Sequence, residues 1–456
     1  MNEAQELKNR IPQGILSCLA FLLGLFSTMP ILGVVIAGRD VSFYRILFVL
    51  CVAWYGVELL RKRKLGAGRN IRLMELWLLV GLVGCLSGRL FLKGEWAPFG
   101  AAAGSYIPKV GLLLVFCVVW SSSEEADALC EKLMHGFLLG CALNCLWASI
   151  DAVGYYLKGV SVSNVLFYDY AVRNGVREHT VSLIFHGTIR SGGFNYDPAQ
   201  LGFLAPVLFG CGLSRRKLLP LLLSLAGIAA SASTTGLVAA ALICLLAFRR
   251  GGKLFDRRSL AELGVFAVLL AALLVLRGDR ILPLASDMLR RFSDRIRHYY
   301  LNDSGPDIRV RYVLQMFGAM RAVLPFLLFG SGFGTASLGY VKTPEVLAVI
   351  GPGHAFPYDM ENTFLAYFFD TGLVGFALFI ALLLILFLRW RKKYAKRESA
   401  FADSVYITIC ATALSMLFYH YILFAPQMLV LTVALSRLDR EDRALRLATE
   451  DPEETT

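Results

Sequence analysis

The chain has 456 residues, of which 57% are hydrophobic and 18% are charged, with a formal net charge of +12. An ordinary soluble domain is about 45–50% apolar and about 25% charged. This composition excludes disordered, collagen-like, coiled-coil and disulfide-stabilised secreted proteins. Because the apolar residues form long blocks, and lipid-exposed backbone must satisfy its own hydrogen bonds in helices, we predict an all-α polytopic membrane protein.

Twelve apolar blocks are candidate membrane-spanning helices, which need about 20 apolar residues each. In chain order they lie near 14–38, 41–60, 73–92, 106–121, 136–156, 196–213, 218–231, 234–248, 260–276, 363–388, 403–419 and 424–437. The block 218–248 is too long for one helix, and the small polar residues from Ser231 to Gly236 predict a break within it. The whole chain, 1–456, is expected to form one membrane domain that keeps its first span.

Clusters of Lys and Arg predict the orientation of these spans. The clusters at 61–64, 215–217, 249–258 and 389–397 all fall on one side of the membrane only if 218–248 is split. That side is then cytoplasmic, with both termini. Two long loops, 157–195 and 277–362, are then expected on the opposite, external side. Since the bases cluster between spans, the positive charge does not indicate a nucleic-acid partner.

The long loops contain the groups needed for chemistry on a lipid-linked pyrophosphate. A reaction on the outside of a membrane has no ATP, so its donor must arrive already activated. Nine of the ten bases in 277–362 are Arg, the residue suited to bidentate phosphate binding. A carboxylate or imidazole is needed to accept a proton from the acceptor hydroxyl. An alternative interpretation of the bases is an amphipathic helix at the lipid headgroups, around Met288–Phe292.

Three short motifs lie in or beside these loops. The first runs Arg190-Ser-Gly-Gly-Phe-Asn-Tyr-Asp-Pro-Ala-Gln-Leu-Gly202. The second is Arg311 followed by Gly330-Ser-Gly-Phe-Gly334. The third is Glu361-Asn362, nine further residues, and then Gly372-Leu-Val-Gly375.

In order and spacing these motifs resemble the superfamily of O-antigen ligases and O-antigen or exopolysaccharide polymerases. The first is similar to the family's Arg-x-x-Gly-x-x-x-x-Pro-Asn-x-x-Gly, and the second to its Arg followed by Gly-x-Gly-x-Gly. The third is similar to His-Asn/Ser/Gln-x9-Gly-x-x-Gly, with Glu361 at the His position. The break at Ser231–Gly236 resembles the family's Ser/Thr-rich break between short helices.

The resemblance implies a GT-C-like glycosyltransferase that needs no metal or cofactor. It would lie in a bacterial inner membrane, with both long loops and the active site facing the periplasm. It would transfer glycan, with inversion, from an undecaprenyl-pyrophosphate-linked donor. Arg190 and Arg311 would hold the pyrophosphates, with Arg309 as the alternative to Arg311. Glu361 would be the general base, with His354 in reserve. Asn362 is either a glycan contact or a helix N-cap.

Three functions remain open. A polymerase, which joins lipid-linked repeat units, is favoured because Glu361 replaces the ligase-like His and two long loops each carry an Arg. The alternative enzyme is an O-antigen ligase that transfers glycan to lipid A-core. The non-enzymatic alternative is a polysaccharide transporter or flippase. The expected partners are the donor and acceptor lipids, the bilayer and, as a further candidate, a chain-length regulator protein.

Overall fold

A computed structural model of the chain describes residues 3–62, 68–91, 126–174, 181–185, 188–195, 197–249, 286, 290, 313, 316–318, 320–321, 324–332, 362–418 and 425–450. These residues are mostly helical, as predicted. The predicted spans 106–121 and 260–276 lie outside them, so the number of twelve spans stays a prediction.

Thirteen helices and two hairpins follow one another in the described part of the chain. They are α1 Glu3–Ser27, β1 Gly33–Ile36, β2 Arg39–Ser42, α2 Phe43–Lys62, α3 Arg69–Phe91, α4 Ala126–Lys158, α5 Val162–Leu166, α6 Tyr168–Arg173, β3 Leu183–Phe185, β4 Thr188–Arg190, α7 Pro198–Arg215, α8 Leu218–Ser231, α9 Thr234–Arg249, α10 Leu324–Phe329, α11 Thr363–Lys396, α12 Ala400–Phe418 and α13 Ala425–Glu450.

Three segments among the described residues are long and apolar enough to cross a membrane. They are Asp127–Lys158 in α4, Thr363–Lys396 in α11 and Ala400–Leu417 in α12. Shorter apolar helical segments occur at Gly14–Ser27, Phe43–Ala53, Leu218–Ser231 and Thr235–Leu246. The chain is therefore a membrane protein built from apolar helices.

The first predicted span, 14–38, is wrong beyond residue 27. Helix α1 ends at Ser27, and β1 and β2 then form an antiparallel hairpin in which Val34 lies opposite Val41. Its two central turn residues, Ala37 and Gly38, have φ of 50° and 76°. Two positive φ values are what a type I′ hairpin turn needs. The β-branched residues of β1 raise the hydropathy as a span would, but they favour extended backbone.

The predicted break within 218–248 is confirmed. Helix α8 ends at Ser231, Ala232 is left-handed (φ 45°, ψ 37°), and α9 starts at Thr234. The Ser233 hydroxyl accepts a hydrogen bond from the Gly236 amide at 3.2 Å. A Cβ on Gly202 of α7 would come within 2.2 Å of that hydroxyl oxygen. The last glycine of the first motif therefore lets α7 pack directly against the break.

Charged residues join the helices at one end of the bundle. Arg437 of α13 pairs with Asp127 at the start of α4 at 2.7 Å, and Arg389 near the end of α11 pairs with Asp442 at 2.6 Å. The Asp439 carboxylate accepts hydrogen bonds from the first backbone amides of α3, those of Asn70 and Ile71, both at 2.9 Å. The end of α7 joins this group, since Arg215 donates to the Ala400 carbonyl at 2.8 Å. We call this the basic end.

Candidate functional site

Arg190 lies at the end opposite the basic end, beside the break between α8 and α9. It is the last residue of β4 and pairs with Leu183 of β3. Its side chain is half-buried, and its Nε donates a hydrogen bond to the Ser231 carbonyl at 3.4 Å. The following amide, of Ser191, donates to the Ala230 carbonyl at 2.9 Å. Carbonyls at a helix C-terminus carry partial negative charge and favour a cation, so the end of α8 holds the start of the first motif.

The turn after Arg190 is fixed by Asn144, a fully buried residue of α4. The Asn144 Oδ1 accepts hydrogen bonds from the Phe194 amide and from the Asn195 Nδ2, both at 2.9 Å. Its Nδ2 donates to the Thr28 carbonyl at 2.9 Å, at the end of α1. One turn further along α4, the Trp147 ring stacks on Phe194 with centroids 5.1 Å apart. One face of α4 therefore sets the backbone position of residues 191–195.

A second buried polar residue of α4, Asp151, organises the rest of the loop 157–195. Its carboxylate accepts hydrogen bonds from the Ser161 hydroxyl at 2.8 Å, the Ser163 amide at 2.9 Å and the Ser182 hydroxyl at 2.6 Å. The Ser182 hydroxyl also lies 3.4 Å from that of Ser191, the neighbour of Arg190. Three donors satisfy a carboxylate that would otherwise be costly to bury.

The sequence analysis did not assign Asn144 and Asp151 to the support of this loop, although their spacing could have suggested it. Asn144, Trp147 and Asp151 recur at intervals of three and four residues, which places them on one face of a helix. Buried polar side chains on one face of an apolar span mark a functional or structural contact. Their partners, in 28 and 161–195, are distant in the sequence and could not be assigned from spacing.

The hairpin β1–β2 adjoins this loop. The Ile31 amide donates to the Phe194 carbonyl at 3.3 Å. The Arg173 guanidinium binds the Asp40 carboxylate with two hydrogen bonds, from Nε at 3.1 Å and Nη2 at 2.9 Å, and the Asn174 Nδ2 adds a third at 2.8 Å. The hydrogen bond from Arg173 holds the pKa of Asp40 below its usual value.

The glycines of the second and third motifs meet at a kink in α11. Gly372 has φ 65° and ψ −171° inside this helix. The Ser331 amide donates to the Phe369 carbonyl at 3.1 Å, and the Gly332 amide donates to the Asp370 carbonyl at 2.7 Å. The amides of this turn therefore donate to helix carbonyls beside the kink, where the regular i→i−4 hydrogen bonds of the helix are interrupted. Gly330 has φ 71° and Gly332 has φ 98°, backbone conformations that glycine adopts without strain.

Close backbone approach explains why these positions are glycine. A Cβ on Gly330 would lie 2.4 Å from the Asp370 backbone, and one on Gly372 would lie 2.4 Å from the Leu328 backbone. Side chains at either position would push α10 away from α11. The Asp370 side chain is itself fully buried at this contact. The motif glycines thus have a packing role, beside any role in catalysis.

Asn362 is the N-cap of α11. Its Oδ1 accepts a hydrogen bond from the Leu365 amide at 3.0 Å, and its Nδ2 donates to the Leu417 carbonyl near the end of α12 at 3.1 Å. The capping role considered for Asn362 is therefore observed. The other predicted site residues, Arg309, Arg311, His354 and Glu361, lie outside the described residues.

A comparison with protein families matches residues 219–380 to the family described as O-Antigen ligase. The matched segment includes the α8–α9 break, the turn at residues 330–332 and the kink in α11. It also includes five of the six predicted site residues, and Arg190 precedes it. A search of curated proteins finds no match. The chain therefore carries an O-antigen ligase family domain at residues 219–380, as its resemblance to the O-antigen ligase and polymerase superfamily predicts.

Proposed function

We propose that this protein polymerises oligosaccharide repeat units carried on undecaprenyl pyrophosphate, in the synthesis of O-antigen, capsule or exopolysaccharide. The observation that carries this proposal is the position of Arg190 on the α8–α9 break. It brings the predicted pyrophosphate-binding residue of the first loop against the family domain. A metal-independent, inverting glycosyl transfer fits these residue types.

The charge distribution supports an active site at the periplasmic face of a bacterial inner membrane. The basic end collects Arg215, Arg389, Lys393, Arg437 and Arg440. An excess of Lys and Arg near span ends marks the cytoplasmic side. The end that carries Arg190 then faces the periplasm, and α11, which ends at the basic end, begins with Asn362 on the periplasmic side.

The proposed reaction is a single displacement at the donor's anomeric carbon. An acceptor sugar hydroxyl attacks this carbon and forms the new glycosidic bond, while its proton passes to Glu361. The bond from the anomeric carbon to the phosphate oxygen breaks, and undecaprenyl pyrophosphate leaves with the electron pair. Arg190 and Arg311 neutralise the negative charge that develops there. Arg309 is the alternative to Arg311, His354 the alternative base, and Asn362 a candidate acceptor contact besides its capping role.

An O-antigen ligase, which would transfer finished glycan to lipid A-core, is the second candidate, since the matched family carries that description. Glu361 at the position of the family's His favours the polymerase. A strain with the gene disrupted distinguishes these functions. Accumulation of single repeat units supports the polymerase, whereas full-length glycan retained on undecaprenyl pyrophosphate supports the ligase. Absence of lipid-linked glycan from the periplasmic face would instead indicate a flippase.

A further inference from the structure

Helix α4 carries an exposed apolar stripe. Its members, each between 43% and 67% exposed, are Leu139, Leu146, Ile150, Val153 and Leu157. Their spacing of seven, four, three and four residues places them on one helical face. The opposite face of α4 packs against α1 and α8 and carries the buried Asn144 and Asp151. On a membrane-spanning helix, such an outward stripe faces the lipid acyl chains.

The stripe continues past the end of α4. Four further apolar or aromatic residues, 52–63% exposed, follow within eleven residues of Leu157: Val160, Val165, Leu166 and Tyr168. The other side of α5 and α6 is buried, as Ser163 and Ala171 are fully inaccessible. These two short helices are therefore amphipathic, and their exposed apolar residues follow those of the α4 stripe directly in the sequence.

The hairpin β1–β2 belongs to the same layer. Val34, Val35 and Ile36 are consecutive and between 40% and 53% exposed, and the double hydrogen bond of Arg173 to Asp40 attaches the hairpin to α6. We call the exposed apolar set the apolar ledge. Its members are Val34, Val35, Ile36, Val160, Val165, Leu166 and Tyr168.

Two physical limits determine how deeply this ledge can lie in a bilayer. A two-stranded hairpin has open edges, whose backbone groups cannot be satisfied within the hydrocarbon core. Conversely, a hairpin of two strands is marginally stable in water, and an apolar patch of this kind is unusual on a surface facing water. Both limits are met at the boundary between lipid headgroups and acyl chains. The exposed cationic residues Arg39 and Lys158, at either side of the ledge, suit phospholipid phosphates there.

We infer that the apolar ledge is immersed in the interface of the phospholipid bilayer, with the side chains on both faces of β1 among the headgroups and first methylenes. Its continuity with the α4 stripe identifies acyl chains, rather than a second protein, as what covers it. With the proposed orientation, this is the periplasmic leaflet. The ledge then fixes the distance of Arg190 from the bilayer centre, because Ile31, just before the hairpin, donates a hydrogen bond to Phe194 of the turn 191–195. The predicted pyrophosphate-binding residue is held near the headgroup plane, where a lipid pyrophosphate lies.

Photo-cross-linking of the full-length protein in nanodiscs of phosphatidylethanolamine and phosphatidylglycerol tests this inference. The photoreactive residue p-benzoylphenylalanine replaces Val35 or Leu166, with Ile150 as the lipid-facing reference and exposed Asp169 of α6 as the matched control. Mass spectrometry counts phospholipid adducts. We expect adducts at 35 and 166 at a level similar to position 150 and several-fold above position 169.

Adducts at 35 and 166 no more frequent than at 169 would overturn the inference, as would cross-links there mainly to a second copy of the chain. Adducts at position 150 in the same preparations show that the helix bundle has folded and inserted. Because the readout needs no glycan substrate, the inference can fail while the proposed polymerase activity stands, and the converse also holds.

Discussion

The Arg190 guanidinium donates a hydrogen bond from Nε to the Ser231 carbonyl at 3.4 Å, across 41 residues of sequence. This contact joins the two features that the sequence singles out on this side of the molecule, the Arg of the first motif and the Ser-rich break.

Replacement of Arg190 by Ala is expected to lower the rate of chain synthesis by about 10²–10³, the effect of removing one preorganised charged donor. Arg190→Lys should recover only part of the rate, because an ammonium lacks the bidentate fork. The assay is polymer formation from lipid-linked repeat units by purified protein. Arg391→Ala, which removes an exposed Arg of α11, is the control and should retain most of the rate. Full activity of Arg190→Ala would contradict the assigned role.

Asn144 is expected to act through the position of Arg190. Asn144→Leu leaves the Phe194 amide without its acceptor and leaves the Asn195 Nδ2 only the Gly192 carbonyl, which should cost about 1–3 kcal/mol of unfolding free energy. It should also slow chain synthesis. If this loss arises from displacement of Arg190, it should largely vanish in the Arg190→Ala background. Equal fold losses in both backgrounds would show that Asn144 acts independently of Arg190.

Gly372→Ala should destabilise the protein, since a non-glycine residue at φ 65° costs about 1–3 kcal/mol before any clash. Its Cβ would also lie 2.4 Å from the Leu328 backbone. Thermal unfolding in detergent measures the effect. Gly56→Ala in α2, where a Cβ meets nothing within 4 Å, is the matched control and should be neutral or slightly stabilising. Wild-type stability of Gly372→Ala would disprove the packing role of the kink.

The ion pair of Asp40 with Arg173 predicts a pH dependence of stability. The pKa of Asp40 is lowered from its usual value of 3.8, chiefly by the hydrogen bond from Arg173. The pair should therefore contribute its full stabilisation above that value and lose it as the pH falls through the lowered pKa. The unfolding midpoints of wild type and Asp40→Asn should differ at pH 7 and converge in acid. A difference that grows on acidification would contradict the sign.

Glu361 is expected to be the general base. Glu361→Gln keeps the shape of the side chain but loses proton acceptance, so kcat should fall far more than donor affinity. His354→Ala should have the smaller effect. Steady-state kinetics with a lipid-linked repeat unit separates the two parameters. Normal polymerisation by Glu361→Gln, together with an inactive His354→Ala, would transfer the role to His354.

The sequence predicts the features that depend on local pattern. Small polar residues within an overlong apolar block locate the α8–α9 break. The hairpin after α1 is missed, because hydropathy does not separate a β-branched strand from a helix. The partners of Asn144 and Asp151 are missed because they come from distant segments. The roles of Arg311 and Glu361 stay predictions.

The most direct test of the polymerase proposal is reconstitution of the purified protein in nanodiscs with a single lipid-linked repeat unit as the sole glycan substrate. We expect a ladder of longer lipid-linked chains, with one undecaprenyl pyrophosphate released for each unit added and no dependence on added metal. Unchanged single units, together with transfer of preformed polymer to lipid A-core when that acceptor is supplied, would contradict it and identify a ligase.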